Sequence, residues 1–592
     1  MSTDERAPLR RDEPTGPASA GAGWGSDVLA EMLRRLGLPY LALNPGASYR
    51  GLHDSLVNHL GNAAPQMLLC LHEESAVALA HGYAKASDRP MGAVLHSNVG
   101  LMHASMSVFN AWCDRVPMLL LGATGPWDAA KRRPWIDWIH TCSDQGALVR
   151  DYTKWDNQPA SVPAACEALM RAMQLTQTAP RAPTYVNLDA ALQEARLDAV
   201  PALPDPARHA PPPAVAPAAE ALEAALALLR GAQRPVLLAG RCSRSAQGWR
   251  ERVALAEALN ARVLTDQKMA AAFPTDHPLH AGPPGNFLSP ESTAALREAD
   301  VVLALDWTDT AGTLRQAWGD APVDAKVIHV SPDAHLHRGW SHDYQALPPA
   351  DVYLLCEPDA VVPLLLPRLP APTRPPPHRA PYQEPQALGD VVSLRALAVA
   401  FNEAAAGQPV CLTRVPLGWH GSYRHFRDPL DYLGLEGGGG VGAGPGLTIG
   451  AALALRDSGR LPVAIMGDGD FLMGVTALWT ACHYGIPCLM LVANNRSFFN
   501  DEMHQERVAK ERGRPVENKW IGQRIDEPDI DLAAMARAQG AHGIGPVTDV
   551  AQLRQAVAEG LQAVRDGRVV VVDVRVQPGY DANPSGPASQ KR

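Results

Sequence analysis

Two proline-rich stretches, residues 201–217 (PALPDPARHAPPPAVAP) and 367–385 (PRLPAPTRPPPHRAPYQEP), cut this chain of 592 residues into three blocks. Proline fixes φ and carries no backbone N–H, so such stretches run as extended surface linkers. The blocks span 23–200, 215–368 and 388–580. Each alternates short apolar runs with amphipathic windows at helical spacing. That pattern predicts a doubly wound α/β unit with a mainly parallel sheet. The expectation is three such domains in series, between a disordered tail over 1–22 and a second tail over 581–592. The N-terminal stretch is charged, rich in Pro, Gly and Ala, and lacks the apolar run of a signal peptide.

Hydrophobic residues make up 46% of the chain and charged residues 19%, which excludes a largely disordered protein. The net charge of −9 and the absence of any Lys/Arg block argue against nucleic acid or an anionic membrane as partner. No apolar run approaches the roughly 20 residues of a membrane span. Nine cysteines are scattered singly, with no C-x-x-C pair, and predict reduced thiols in a cytoplasmic protein.

The third block carries the densest chemistry. Apolar residues 462–466 predict a buried strand that ends just before Asp468 in Gly467-Asp468-Gly469. Val475, Leu478, Trp479 and Cys482 predict a helix over 474–484, and a second apolar run over 486–493 ends before Asn494-Asn495. Parallel pairing in such a β-α-β unit puts Asp468 and Asn495 on one carboxyl edge, where ligands bind in open α/β sheets. Carboxylate and amide oxygens are hard donors, suited to Mg²⁺ shared with a diphosphate. The first block repeats the layout, with strands over 66–71, 92–95 and 116–121 and helices opening at Glu73 and Ser97. Glu73 and His96 therefore also sit at strand ends.

Six motifs, in this order, resemble the thiamine-diphosphate-dependent decarboxylase and carboligase family, of the benzoylformate decarboxylase and acetolactate synthase types. They are NPG at 44–46, HEESAVALAHGYAKAS at 72–87, LHSNVG at 95–100, NAWCDRVP at 110–117, GGVG at 439–442 and GDGDFLMGVTALWTACHYGIPCLMLVANN at 467–495. The likeness covers nearly all three blocks, as pyrimidine-binding, central and diphosphate-binding domains. It implies thiamine diphosphate and Mg²⁺, with Asp468, Asn495 and the backbone carbonyl of Ser497 as metal ligands. Gly467 and Gly469 let the backbone approach the diphosphate, and Asp470 supports the same turn. Val441 matches the apolar residue that bends the cofactor. Glu73 matches the glutamate that hydrogen-bonds the aminopyrimidine and drives formation of the C2 ylide; Glu74, its neighbour, points about 100° away around the helix.

On the substrate side, His96 matches a proton-handling histidine of the benzoylformate decarboxylase type. Ala47 stands where that type carries a serine, and Ser48 is one residue out of register. The central block offers no convincing second catalytic histidine, Thr308 to Thr313 roughly occupying that region. Trp419, His420, Tyr423 and His425, and Asn500, Asp501, Glu502, His504 and Gln505, are the other polar groups near the motifs. His103 falls one turn into a helix. In the central block Gly240-Arg241-Cys242 replaces a glycine-rich turn, so FAD is only a minor option there. The implied activity is decarboxylation of a 2-oxo acid through a C2 ylide and an enamine. A carboligase, an acyl-CoA lyase or a C–C hydrolase is the alternative, and a non-catalytic cofactor-binding paralogue the distant one. The implied assembly is a homodimer or homotetramer with active sites between subunits.

Overall fold

The computed structural model describes residues 9, 12–19, 21–336, 346–370, 380–387 and 389–579. The tail expected over 581–592 and part of the second proline-rich stretch lie outside them. Among the described residues are three sheets in which every strand pair is parallel. The first runs β2-β1-β3-β4-β6-β5, from β1 (Tyr40–Leu43), β2 (Gln66–Leu69), β3 (Met91–Leu95), β4 (Met118–Thr124), β5 (Trp155–Asn157) and β6 (Pro183–Asp189). The second runs β11-β10-β9-β7-β8, from β7 (Pro235–Ala239), β8 (Arg262–Thr265), β9 (Val301–Leu305), β10 (Lys326–Val330) and β11 (Val352–Leu354). The third runs β12-β13-β14-β16-β15, from β12 (Val410–Arg414), β13 (Leu461–Gly467), β14 (Cys488–Asn494), β15 (His542–Val547) and β16 (Val569–Arg575). The three doubly wound parallel units expected from the sequence are all present. Helices cover both sheet faces, so inner strands such as β14 are buried at every position and read as continuous apolar runs.

The first and third sheets are joined through helices Glu73–Ser87 and Gly444–Leu455. A Cβ at Gly450 would stand 1.8 Å from the Leu79 carbonyl oxygen, and one at Gly82 2.0 Å from that of Leu447. The two backbones therefore touch, which only glycine permits. One apolar cluster runs through both units and includes Leu79, Tyr83, Leu95, Ile449, Leu453 and Met466. The second sheet keeps a separate core around Leu237, Leu303 and Ile328. Asp333 ties it to the first unit, pairing with Arg115 and Arg241 at 3.1 Å each.

Two local expectations change. The stretch expected as a disordered tail over 1–22 is anchored where it is described. Leu9 is buried and exchanges two hydrogen bonds with the Gln66 side chain, and Asp12 accepts from the Tyr484 hydroxyl at 2.6 Å. A slot between the first and third units receives it, which composition does not reveal. The helix expected over 474–484 is present as Ala477–Tyr484, and a separate short helix, Asp468–Gly474, precedes it. The break falls where Gly474 packs against the carbonyl of Gly442, a Cβ there standing 2.3 Å from that oxygen. No helix among the described residues is long and apolar enough to cross a membrane, and all nine cysteines are free thiols.

Candidate active site

At the carboxyl edge of the third sheet, β13 ends at Gly467 and a helix begins at Asp468. β14 ends at Asn494, and Arg496 then takes a left-handed φ of 58°. The two adjacent asparagines take different partners. Asn494 is buried, donates to Asp573 at 2.8 Å and accepts from Arg496 N–H at 3.1 Å, so it holds the loop. Asn495 Oδ1 accepts from Ser497 N–H at 2.9 Å, and Asp468 Oδ2 accepts from the same N–H at 3.2 Å. One donor thus draws a carboxylate and an amide oxygen to one point. The Ser497 hydroxyl is turned away and donates to Glu502 at 2.6 Å.

These residues face a cavity of about 420 Å³ whose walls also include Val441, Gly467, Gly469, Asp470, Asn500 and Asp501. Burial pushes the Asp468 carboxyl up to about 6, against the N–H groups that bond it. A buried carboxylate beside an amide oxygen and facing a cavity is a hard donor set that a divalent cation relieves, so these residues fit Mg²⁺. Asp470 is placed differently. Its Oδ1 accepts from Gly442 N–H at 2.6 Å and Gly444 N–H at 3.3 Å, and its Oδ2 lies 2.7 Å from Arg414 Nε. It therefore fixes the turn that presents Val441, which is partly exposed to the cavity.

The carboxyl edge of the first sheet holds the other candidates. Glu73 is buried at the start of its helix, and its Oε2 lies 3.1 Å from His103 Nδ1. His103 is exposed and stacks on His72, the ring centroids 5.2 Å apart. Glu74 faces the third unit instead, where burial and the Asp470 charge raise its carboxyl. His96 follows β3, and its Nδ1 lies 2.9 Å from Ser48 Oγ. Counting along the chain put Ser48 out of register. The short 3₁₀ turn Ala47–Tyr49 after the NPG segment brings its hydroxyl to His96 instead. His140, from the irregular loop after β4, meets the His96 ring edge-on at 4.7 Å. No spacing rule pointed to it.

Glu73 and His96 do not line the 420 Å³ cavity. The remaining polar candidates divide. His425 bonds the Tyr382 carbonyl and Thr275, His420 bonds Ser422, and Trp419 is buried, so that cluster is framework. Asn500 and Asp501 reach the cavity, Glu502 braces Ser497, and His504 bonds Arg507 on the surface. Gly240-Arg241-Cys242 lines a separate cleft of about 190 Å³, where Arg241 is spent on Asp333.

Three family models match the chain: "Thiamine pyrophosphate enzyme, N-terminal TPP binding domain" over 23–148, the central domain over 222–347, and the C-terminal TPP binding domain over 416–574. A benzoylformate decarboxylase of Pseudomonas aeruginosa is 26% identical over 93% of this chain and 98% of its own length. A probable chloroplastic acetolactate synthase of Oryza sativa is 25% identical over 84% of this chain and 74% of its own. The crystal structure of a benzoylformate decarboxylase from Polynucleobacter necessarius superposes with a TM-score of 0.77 at 20% identity, covering 95% of this chain and 100% of that one.

Proposed function

Because the chain belongs to the thiamine pyrophosphate enzyme family, we propose that it is a thiamine-diphosphate- and Mg²⁺-dependent enzyme that decarboxylates a 2-oxo acid. The observation that carries this reading is the single Ser497 N–H that holds Asp468 and Asn495 together at the mouth of a cavity. In the proposal these two oxygens and the Ser497 carbonyl hold Mg²⁺, Gly467 and Gly469 border the diphosphate, and Val441 supports the bent cofactor. The cofactor, when bound, supplies a carbon nucleophile and a sink for the electron pair left as CO₂ departs.

Glu73 exchanges a proton with a ring nitrogen presented to it, and His96 handles protons at the substrate. Both require a low-dielectric setting within hydrogen-bond reach of the reacting group. Since neither lines the diphosphate cavity of its own chain, the proposal includes a homodimer or homotetramer. Each site is closed by the first block of one copy and the third block of another. The free thiols support a cytoplasmic location. The domains are proposed as 23–200, 215–368 and 388–580.

A carboligase of the acetolactate synthase type is the second reading, favoured by Ala47, which puts no hydroxyl directly after the NPG segment. A product screen separates the two. The holoenzyme is incubated with pyruvate, benzoylformate and longer 2-oxo acids, with and without an acceptor aldehyde. CO₂ with free aldehyde supports decarboxylation, and CO₂ with a 2-hydroxy ketone supports ligation. A cofactor-loaded protein that releases no CO₂ from any 2-oxo acid overturns both.

A further inference from the structure

We propose that Ser48, His96 and His140 form the proton-handling group on the substrate side of this site, with His140 supplying the second imidazole that the Thr308–Thr313 region does not provide. The inference rests on the decarboxylase reading and identifies the residues that complete that reaction.

The arrangement is built rather than incidental. A Cβ at Gly46 would stand 2.3 Å from His96 Cγ, so the glycine of the NPG segment leaves the slot that the imidazole fills. Ser48 Oγ then lies 2.9 Å from His96 Nδ1, which fixes the ring and turns Nε2 away from the serine. His140 meets that ring edge-on, the centroids 4.7 Å apart and the planes at 87°. Its loop is tied at the contact and before it. Ser97 Oγ donates to the His140 carbonyl, and Asn98 Nδ2 donates to the Ile139 carbonyl at 3.2 Å. Arg133 and Asp137 close the loop on itself at 2.8 Å. Ser97 adopts a left-handed φ of 53°, a strained geometry for a residue other than glycine. Such strain persists only where surrounding contacts enforce it. Ser48 is buried, whereas both imidazoles keep partial exposure.

The chemistry asks for two groups. When the C–CO₂ bond breaks, the electron pair stays on the former carbonyl carbon, and a new C–H bond there takes one proton. Release of the aldehyde then withdraws one proton from the former carbonyl oxygen, which gained one when the substrate added. The turnover takes up one proton from solvent in total. One imidazole can give the proton to carbon while its neighbour accepts the one from oxygen. Burial, and after it electrostatic repulsion from His140, holds His96 below the ordinary imidazole range, while Glu73 opposes them.

The test uses holoenzyme of the wild type, Ser48→Ala and His140→Ala, with a 2-oxo acid that the wild type consumes. Aldehyde release is expected to fall about 10²-fold in His140→Ala and to recover in part with added imidazole. Ser48→Ala is expected to show a smaller loss, since it acts by positioning His96. Cofactor affinity, by calorimetric titration, and melting temperature should match the wild type in both variants. Wild-type aldehyde release in His140→Ala overturns the proposal, and so does a loss that imidazole leaves unchanged. A second measurement needs no turnover. In cofactor-free protein with ¹⁵N-labelled histidine, His96 should titrate at higher pH in His140→Ala, and an unchanged titration overturns the pairing. A wild type that releases no CO₂ overturns the decarboxylase reading instead, while the titration still decides whether the pair exists.

Discussion

Asp468 and Glu73 do different work, and single substitutions should separate them. Asp468 shares the Ser497 N–H with Asn495 and faces the cavity, so Asp468→Ala removes the charged member of the proposed cation site. Calorimetric titration with thiamine diphosphate should then show no Mg²⁺-dependent binding, while the apoprotein keeps its melting temperature or gains in it. Glu73 stands on the other unit, so Glu73→Gln should leave that binding within a few-fold and lower turnover by at least about 10²-fold. Wild-type-like turnover in Glu73→Gln would refute its assignment. Glu73, His96, Asp468 and Asn495 were legible because each lies within a few positions of a strand end. The Ser48–His96 contact was not, because a 3₁₀ turn redirects a side chain that linear counting places elsewhere.

At the level of elements, the helix Glu73–Ser87 does more than present a glutamate. Its Gly82 lies against the backbone of helix Gly444–Leu455, whose Gly450 lies against its own Leu79. Gly450→Val would drive three carbon atoms into a backbone contact, and a loss of about 3 kcal/mol is expected from thermal unfolding. The same helix carries His81 and Lys85, both within 2.8 Å of the buried Asp114 carboxylate, and Lys85 also donates to the Leu435 carbonyl at 2.6 Å. Burial alone would raise Asp114, but Lys85 and His81 pull it down to about 2. An acid whose folded value lies below its unfolded value of about 3.9 contributes stability above that value. The contribution is lost as pH falls from about 4 to about 2. Asp114→Asn should therefore flatten the fall in stability across that window, read from acid unfolding by circular dichroism. Lys85→Met should cost about 3–5 kcal/mol, since it leaves a buried carboxylate short of its cation.

At the scale of the molecule, the two proposed half-sites make an assembly prediction. Glu73→Gln damages only the first-block half and Asp468→Ala only the third-block half. If sites form between copies, a hybrid dimer of the two variants holds one doubly damaged site and one intact site. Random pairing makes half the dimers hybrid, so an equimolar co-refolded mixture should recover about a quarter of wild-type activity. Two inactive parents that stay inactive when mixed would place both halves in one subunit.

Three parallel-sheet units and the approach of Asp468 to Asn495 follow from the sequence itself. Burial on both faces makes a parallel strand continuously apolar, and chain direction alone puts both residues on one edge. Glycines at 82 and 450 are equally local features, yet nothing in their spacing says that they face each other. Tertiary packing decided that crossing, and with it the docking of Leu9 and Asp12. It also decided that His140, far along the chain from His96 and in a loop without periodicity, completes an imidazole pair. Sequence periodicity records which face of an element is buried. Contacts between irregular segments leave no period, because their geometry is set by the elements that carry them.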